Sequence, residues 1–455
     1  MTTQTLKYDL SQVFPLRILR RDEAQSALVV GDIGAGKSTF QRGIIMQAIT
    51  RGDAVIIHDP HREFTEEFYR DDVDWILNPL DLRFPYWSPG EEVEQNNEPD
   101  GLMIGQSLYP LTPGDQPFFI RQASTLFAFL ISHYQPTGRQ LGDWMANDTI
   151  IDRLVKGTEF ERTLTKDSAG QRSGIIAVLN TTGPAFRMLP DGASRHFSVK
   201  EWVQKREGNI FITNTLNSRA ALRPLQSMWI DLIIARIISM GPRKDLPFVW
   251  MVLDELASLQ HLPQLKVAIT ENRKAGLSVV VGFHGKSQIE AIYGKDSDTI
   301  FAQAKTKVIL RTNEPDAAEW ASRMIGDVEI ERAKESRPAH KIASGGRGHS
   351  YSTEKRIERL VMASEIQNLK DLHGYFRYQD ICCPVHFAYL PRFRSAEPFI
   401  PAPVRSRWDP DPSVVIDVEA QPETAANPGV VDVKAEAETS VVVSGKPSPE
   451  YGMSV

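Results

Sequence analysis

The chain has 455 residues, more than one hydrophobic core usually organises, so we expect two folded units and a tail. Its hydrophobic content of 41% and charged content of 24% are ordinary for a soluble globular protein. The net charge of −6 comes from the C-terminal stretch: residues 409–455 hold nine acidic and two basic residues, which leaves about +1 for the first 408. Overall acidity therefore does not exclude a polyanionic partner.

The cysteine content and the hydropathy pattern exclude several other classes. Cys382 and Cys383 are adjacent and are the only cysteines, so the chain has neither a disulfide framework nor a cysteine-based zinc site. We interpret them as two small residues on a strand in a reducing compartment. No run of 18 apolar residues occurs, and the N-terminus lacks a basic, then apolar, leader. We therefore expect neither a membrane span nor a signal peptide.

Short apolar runs rich in β-branched residues recur along the chain and predict strands. They lie at 27–30, 54–57, 210–213, 248–253, 278–283 and 308–310. Most are continuous, as expected for a parallel sheet covered on both faces. Helical patterns separate them, first at residues 39–50 and later in an apolar stripe ahead of the fourth strand, formed by Leu222, Leu225, Trp229, Leu232, Ile233 and Ile237. This alternation predicts an α/β domain with a doubly wound, mostly parallel sheet and helices on both faces.

About 150 residues separate the second and third predicted strands, far too many for one crossover connection. The stretch opens with a proline-rich loop at 78–101 and continues with helix-like patterns around 117–134, 140–156 and 171–189. We predict an inserted all-α subdomain at 100–200. Alternatively, these helices are additional elements packed directly onto the sheet. With the insert, the α/β domain comprises two segments, 1–99 and 201–400.

Two further stretches differ in composition from the α/β pattern. Residues 401–455 are rich in Pro, Ala, Val, Glu and Ser and almost lack aromatic residues. They cannot bury enough apolar surface to offset the entropy of ordering, so we predict a disordered acidic tail. Residues 333–356 also resemble a loop, since Gly, Ser and charged residues dominate them.

The most specific motif is GDIGAGKS at 31–38, which matches the P-loop pattern GxxxxGK(S/T) in full. It follows an apolar run and precedes a helical segment, which is the context that the motif requires. Lys37 would bridge the β- and γ-phosphates of ATP, and Ser38 would ligate Mg²⁺. The backbone around the phosphates would come from Gly31, Asp32, Ile33, Gly34, Ala35, Gly36, Lys37, Ser38 and Thr39. The motif predicts an ATPase; the alternative is a P-loop that binds nucleotide without hydrolysing it.

A second element of such a site is VWMVLDE at 249–255, an apolar strand followed by two carboxylates. Asp254 would hold Mg²⁺ through water, and Glu255 would polarise the water that attacks the γ-phosphate. Many buried strands end in acidic residues, but the complete P-loop upstream favours this interpretation. Asp59 ends the second predicted strand, where it would either face the nucleotide or accept hydrogen bonds in a helix cap or turn.

Hydrolysis needs more positive charge on the γ-phosphate than Lys37 supplies, and many such enzymes use an arginine. Our candidate is Arg273 in TENRKAG at 270–276, acting from a neighbouring subunit; the alternative is a solvated cation near a helix end. His284 and Gln288 follow the strand predicted at 278–283, beside the nucleotide in sheets of this kind. Either would sense the γ-phosphate, although an ordinary polar loop explains them nearly as well.

Taken together, these residues resemble the type IV secretion coupling proteins, the TraD-like DNA-transfer ATPases of conjugation, within the FtsK-like ring motors. The resemblance extends over about 25–390 and includes NPLDLRFPYW at 78–87 and DELASLQHLPQL at 254–265, which have no general P-loop explanation. The other matching segments are ALVVGDIGAGKSTF at 27–40, AVIIHDPHREFTEEFYR at 54–70, ENRKAGLSVVVGFHGKSQIEAIYG at 271–294 and SEIQNLKDLHGYFR at 364–377.

The resemblance implies a RecA-like ATPase domain with an all-α insert, assembled as a homohexameric ring around DNA, single- or double-stranded, without sequence preference. It also implies delivery of nucleoprotein to a secretion channel, with channel or relaxosome proteins as partners. By position, Lys37 and Ser38 match the Walker A residues, and Asp254 and Glu255 match Walker B. Arg273 matches the conserved arginine of an R-K-x-G segment.

The sequence departs from the family pattern at three places. Family members typically begin with transmembrane helices, whereas here only about 25 residues precede the first predicted strand. Either this sequence lacks an anchor that the protein has, or this is a soluble variant recruited by a partner; we expect a cytoplasmic location, or a peripheral one at the inner face of the membrane. His284 replaces the usual glutamine. His61 and Arg62 replace the usual lysine and glycine.

Two other functions stay open at this point. One is a receptor or adaptor for protein cargo that uses nucleotide only to change shape. The other is a plasmid or chromosome motor unrelated to secretion. A DNA-contacting role for the cations at 334–356 is less favoured than a solvated loop, because glutamates are interleaved with them.

Overall fold

The structure, a computed structural model, describes residues 25–112, 114–165, 169–336, 350–379, 381–389 and 392–403. The predicted tail lies outside these residues from 404 onward. Eleven strands are present in the described part: β1 (Ala27–Val30), β2 (Ala54–Asp59), β3 (Trp75–Leu77), β4 (Ile210–Thr213), β5 (Val249–Leu253), β6 (Leu277–Phe283), β7 (Thr306–Leu310), β8 (Asp327–Ser336), β9 (Ser350–Arg359), β10 (His373–Tyr378) and β11 (Ile381–His386).

Nine of these strands form one sheet in the order β11-β10-β7-β1-β6-β5-β2-β4-β3. All pairings from β7 to β3 are parallel, and the antiparallel hairpin β10–β11 extends the sheet beyond β7. The central strands β1, β2, β4, β5 and β6 are buried along their whole length, which is why they read as continuous apolar runs. The second sheet contains only β8 and β9, paired antiparallel.

Helices cover both faces of the large sheet. They are α1 (Lys37–Arg51), α2 (Glu63–Phe68), α3 (Glu98–Leu108), α4 (Pro117–Tyr134), α5 (Gly138–Met145), α6 (Asp148–Leu154), α7 (Glu159–Thr163), α8 (Ala169–Asn180), α9 (Gly183–Arg187), α10 (Val199–Lys205), α11 (Arg219–Met240), α12 (Leu265–Ala275), α13 (Lys286–Tyr293), α14 (Asp296–Gln303), α15 (Pro315–Ile325) and α16 (Ala363–Gln367).

Alternate residues of the strands belong to two apolar clusters, one on each face of the sheet. Phe40 and Ile45 of α1 pack with Val55 of β2 in one cluster, whereas Trp229 of α11 packs with Ile56 in the other. The predicted stripe on α11 is fully buried. The α/β prediction with a mostly parallel sheet and helices on both faces is confirmed.

The helices α3–α10, which we call the helical layer, lie in the chain between β3 and β4 and share one apolar cluster with the sheet. Glu92 links the segment before α3 to the start of α10 through hydrogen bonds. Its carboxylate, 1% exposed, accepts hydrogen bonds from Trp87 Nε1 (2.8 Å), Val199 N (2.7 Å) and Lys200 N (3.0 Å) at the start of α10. The subdomain boundaries at 100 and 200 stay a prediction.

Three parts of the fold differ from the sequence prediction. β3 has three residues, too few to stand out within the polar segment around it. The loop predicted at 333–356 is wrong at both ends, because β8 continues to Ser336 and β9 begins at Ser350. The strand β10 was not predicted, because its sequence mixes polar and apolar residues, whereas β11 confirms the strand expected at Cys382 and Cys383. Among the described helices, none combines the length and the apolar character needed to cross a membrane.

Candidate nucleotide-binding site

The P-loop connects β1 to α1 at the carboxyl edge of the parallel strands. Gly34 (φ 79°) and Gly36 (φ 118°) adopt the left-handed region, which residues with a Cβ rarely occupy, so the loop can curl with its N–H groups facing inward. Helix α1 begins at Lys37 directly after Gly36. The exposed N–H groups and the positive end of the helix dipole make this turn suited to an anion.

Residues that follow β7 and precede β10 hold the P-loop in place. Asp32 N donates to Arg311 O (2.8 Å), and Asn313 N donates to the Asp32 carboxylate (2.8 Å). Leu372 N donates to Ala35 O at 3.0 Å, and the Leu372 side chain lies against Gly36. The P-loop is thus fixed on the side away from β6 by residues more than 270 positions later in the chain.

Lys37 is buried at the base of the P-loop. Its ammonium donates to Gly31 O (2.7 Å) and Asp32 O (3.2 Å), and its Nζ lies 3.0 Å from His284 Nδ1. Burial lowers the pKa of Lys37, and the carboxylates of Glu255, Asp254 and Asp32 oppose that shift. The ammonium is bound to backbone oxygens and an imidazole, so a phosphate entering the loop can take it over with a stronger, charge-assisted contact.

Asp59 and Asp254 stand next to each other at the ends of β2 and β5, where His58 pairs with Leu253. Burial raises the pKa of Asp254 to about 7, and the charges of Asp59 and Glu255 raise it further. A Cβ at Gly282 of β6 would lie 2.1 Å from the carbonyl oxygen of Asp254, so this strand accepts only glycine here. Two buried, adjacent acids with raised proton affinity form a site where a cation would relieve repulsion.

Asp59 accepts hydrogen bonds at the start of a helix, the second of the two roles considered for it. Its carboxylate accepts hydrogen bonds from Glu63 N (3.1 Å), Thr65 N (2.7 Å) and Thr65 Oγ1 (2.8 Å) in the first turn of α2. Burial still raises the pKa of Asp59 to about 6 against these hydrogen bonds. The residue therefore anchors α2 and adds negative charge beside Asp254.

Glu255 and His284 form a hydrogen-bonded pair across the ends of β5 and β6. His284 Nε2 lies 2.8 Å from Glu255 Oε2. The other carboxylate oxygen, Oε1, is buried without a hydrogen-bond partner among the described residues. The hydrogen bond to Glu255 raises the pKa of His284, while burial and Lys37 oppose it. Glu255 thus presents one fixed oxygen and one unpaired oxygen beside the P-loop lysine.

The remaining predicted site residues differ in how far they are exposed. Ser38 and Thr39 are half-buried in the first turn of α1. Gln288 is exposed on α13, and in the described part of the chain no hydrogen bond joins it to the P-loop. Arg273 belongs to α12, but its side chain lies outside what the structure describes.

Gln41 is a site residue that the sequence analysis missed. It lies one helical turn after Lys37, is fully buried, and neither atom of its amide has a hydrogen-bond partner among the described residues. Its Nε2 would be 2.6 Å from a Cβ at Gly282, which places it behind the Asp254 strand end. The i, i+4 spacing from Lys37 was the available signal.

The site therefore combines a helix N-terminus suited to binding a phosphate, the buried Lys37 and the adjacent acids Asp59 and Asp254. It lies in the fold that the sequence predicted. The family of type IV secretion-system coupling protein DNA-binding domains matches residues 9–390. This chain belongs to that family. The resemblance inferred from the motifs is confirmed.

Individual coupling proteins are similar over most of the chain. The coupling protein TraD of Escherichia coli strain K12 is 28% identical over 488 residues, which cover 94% of this chain and 65% of TraD. This chain thus spans less than two thirds of the length of that relative. The bacterial conjugative coupling protein TrwBdeltaN70, in an unbound form, has a TM-score of 0.74 and 29% identity, over 84% of this chain and 89% of that one. The plasmid coupling protein TrwB in complex with ADP and Mg²⁺ gives a TM-score of 0.73, 29% identity, and coverage of 84% and 89%.

Proposed function

We propose that this coupling protein is an ATP-hydrolysing motor that moves DNA or nucleoprotein toward a type IV secretion channel. The observation that carries the proposal is the meeting of Lys37 with the buried Asp254 and the half-buried Glu255 at the carboxyl edge of a coupling-protein sheet. A pure DNA-binding module has no need for a buried lysine facing two carboxylates. A phosphoryl-transfer site requires this combination.

In this proposal the P-loop backbone from Gly31 to Thr39 holds the phosphates, and Ser38 and Asp254 hold Mg²⁺. Bound Mg²⁺ would supply positive charge against the charge that develops on the phosphates. The residues fit such an ion, because Ser38 and Asp254 both offer oxygen ligands, and burial together with the charges of Asp59 and Glu255 raises the pKa of Asp254. The described residues contain no group of three His, Cys, Asp or Glu side chains able to hold a metal by themselves, so the nucleotide would complete the coordination. A related plasmid coupling protein binds ADP and Mg²⁺.

Three further residues have proposed roles in hydrolysis. Glu255 polarises water through its unpaired Oε1. Arg273 stabilises the transferred phosphoryl group from a neighbouring subunit of a homohexameric ring. Gln288 senses the γ-phosphate, a role that requires α13 to move, since Gln288 is exposed in this structure. The ring would surround DNA and dock, with relaxosome or channel proteins, at the inner face of the membrane.

ATPase assays with and without single- and double-stranded DNA test this function. We expect wild-type turnover to increase with DNA and Lys37→Ala to abolish turnover, because the β/γ cation contributes several kcal/mol of transition-state stabilisation. Near-normal turnover in a folded Lys37→Ala protein would contradict the proposal. ATP binding without turnover, with or without DNA, would instead indicate a nucleotide-switched receptor.

The ring arrangement has its own test. If Arg273 acts in trans, specific activity rises with protein concentration, because separate subunits hold incomplete sites. Mixing Arg273→Ala with Lys37→Ala subunits should restore a small activity, since some interfaces then pair an intact P-loop with an intact arginine. Flat specific activity and no complementation would assign the arginine to its own subunit or remove it from the mechanism.

A further inference from the structure

His284 lies between the two catalytic candidates and contacts both. Its Nδ1 is 3.0 Å from Lys37 Nζ, and its Nε2 is 2.8 Å from Glu255 Oε2. The chain positions of Lys37 and His284 differ by 247 residues, and the pairing of β1 with β6 brings them together. One imidazole therefore joins the P-loop lysine to the carboxylate that would polarise water.

The hydrogen-bond chemistry assigns a direction to this chain of contacts. An ammonium only donates, so Lys37 requires a lone pair on Nδ1. The ring proton of the neutral imidazole is then on Nε2, where it donates to Glu255 Oε2. Nδ1 also lies 3.1 Å from Gly31 O, and while Nε2 donates to Glu255 only the doubly protonated ring can also donate to this carbonyl. The neutral ring thus accepts from Lys37 at Nδ1, whereas the doubly protonated ring donates from Nδ1 to Gly31 O. One protonation state cannot make the contact of the other.

We propose that His284 is a positioning residue that couples Lys37 to Glu255: the imidazole fixes one carboxylate oxygen of Glu255 and leaves the other, Oε1, as the acceptor for the attacking water in the nucleotide-loaded site. This inference rests on the proposed ATPase function. Phosphates entering the P-loop compete with His284 for the Lys37 ammonium. Occupancy of the loop therefore changes what Nδ1 contacts and, through the ring, the hydrogen bond that orients Glu255.

Several charged groups surround the imidazole of His284. Glu255 raises the pKa of His284 through its hydrogen bond and charge, and Lys37 lowers it. Asp254 and Asp32 face Lys37, and a Cβ on Gly285 would meet the Glu314 carboxylate at 2.9 Å, so three more acids lie near the pair. His284 therefore titrates as part of this group.

Two substitutions separate positioning from simple packing. The amide of His284→Gln offers an oxygen to Lys37 and an N–H to Glu255, so it keeps the pattern of the neutral ring but cannot take up a proton. We expect its kcat at pH 8 to stay within about threefold of wild type and to lose the wild-type inflection caused by His284. His284→Ala should lower kcat about 10- to 100-fold, the range for loss of an orienting partner, with the Kd for ATP little changed.

Ser287→Ala is the matched control, since Ser287 is exposed on α13 and takes no part in the site. An unchanged kcat in His284→Ala would overturn the proposal, as would a His284→Gln protein as inactive as His284→Ala. An unchanged pH inflection in His284→Gln would also overturn it, because the titrating group would then be a different one.

A nucleotide-free measurement keeps this inference distinct from the ATPase proposal. NMR titration of the His284 ring should give a lower pKa in Glu255→Gln than in wild type, and a higher pKa in Lys37→Ala. If wild type hydrolyses no ATP yet these shifts occur, the coupling stands and the proposed function fails. If the ring titrates identically in all three proteins, His284 links neither residue and the inference fails whatever the turnover.

Discussion

Acidic side chains are buried in two regions of this protein, and their hydrogen bonding differs. In the helical layer, the Glu92 carboxylate accepts three close hydrogen bonds, from Trp87, Val199 and Lys200. At the nucleotide site, Glu255 keeps one buried oxygen unpaired, and the amide of Gln41, near the end of the Asp254 strand, is unpaired as well. A satisfied buried carboxylate stabilises the fold, whereas an unsatisfied one is a binding group whose partner comes from outside the chain.

The largest effect should come from Glu255→Gln. The amide cannot polarise water as a carboxylate does, so we expect turnover to fall about 10²- to 10⁴-fold. Because Glu255 contributes little to packing, the melting temperature should stay close to wild type. Phosphate release and fluorescent-nucleotide binding measure the two properties, and loss of nucleotide binding together with turnover would remove Glu255 from its catalytic role.

The opposite behaviour is expected for Glu92→Ala. Three buried donors lose their acceptor, two of them at the start of α10, so the free energy of unfolding should fall by about 3 kcal/mol. The neighbouring Glu91→Ala is the control. Glu91 pairs with His196 at the surface, and its removal should cost less than about 1 kcal/mol. Equal destabilisation by both variants in denaturant titrations would contradict this account of Glu92.

A smaller, pH-dependent effect is expected for Asp254→Asn. Burial raises the pKa of Asp254 to about 7 from an ordinary 3.8, so between these values the folded state keeps a proton that the unfolded state has released. Stability contributed by this group therefore falls as pH rises, and an asparagine escapes the loss. Without nucleotide or Mg²⁺, the variant should match wild type near pH 4 and exceed it by about 1–3 kcal/mol at pH 8. A difference that does not change with pH would refute the assignment.

The smallest effect should follow truncation after residue 403. The removed stretch has few residues able to join a core. We expect a change in unfolding free energy below about 0.5 kcal/mol and unchanged basal ATPase activity. A large drop in melting temperature would show that the tail docks on the folded part.

The parts of the fold that the sequence predicted depend on local signals. The P-loop is a contiguous motif, and β1, β2, β4, β5, β6 and β7 are apolar because both faces of the sheet are covered. The strands β8 and β9 lacked such a signal, since charged residues alternate on exposed positions. β10 adds to the edge that β7 offers, and β11 adds to β10; no local pattern predicts this pairing.

The site was predictable in its residues but not in its connections. Lys37, Asp254 and Glu255 each belong to a short motif. The bridge through His284 and the adjacency of Asp59 to Asp254 arise from the strand order, which joins positions hundreds of residues apart. The sequence alone shows that His284 replaces the glutamine usual in the family. Only the fold shows that His284 contacts both Lys37 and Glu255.

The hydrogen bond from Leu372 to the P-loop has a consequence for the order of events during synthesis. The motif at 31–38 precedes the residues that support it: β1 pairs with β6 and β7, and Ala35 O accepts a hydrogen bond from Leu372 N. Synthesis proceeds from the N-terminus, so a ribosome-bound chain shorter than residue 378 leaves β7 with an open edge and the P-loop without this hydrogen bond. The P-loop motif is thus translated long before the strands and the Leu372 N–H that hold it in place, and we expect firm nucleotide binding only after β10 has emerged.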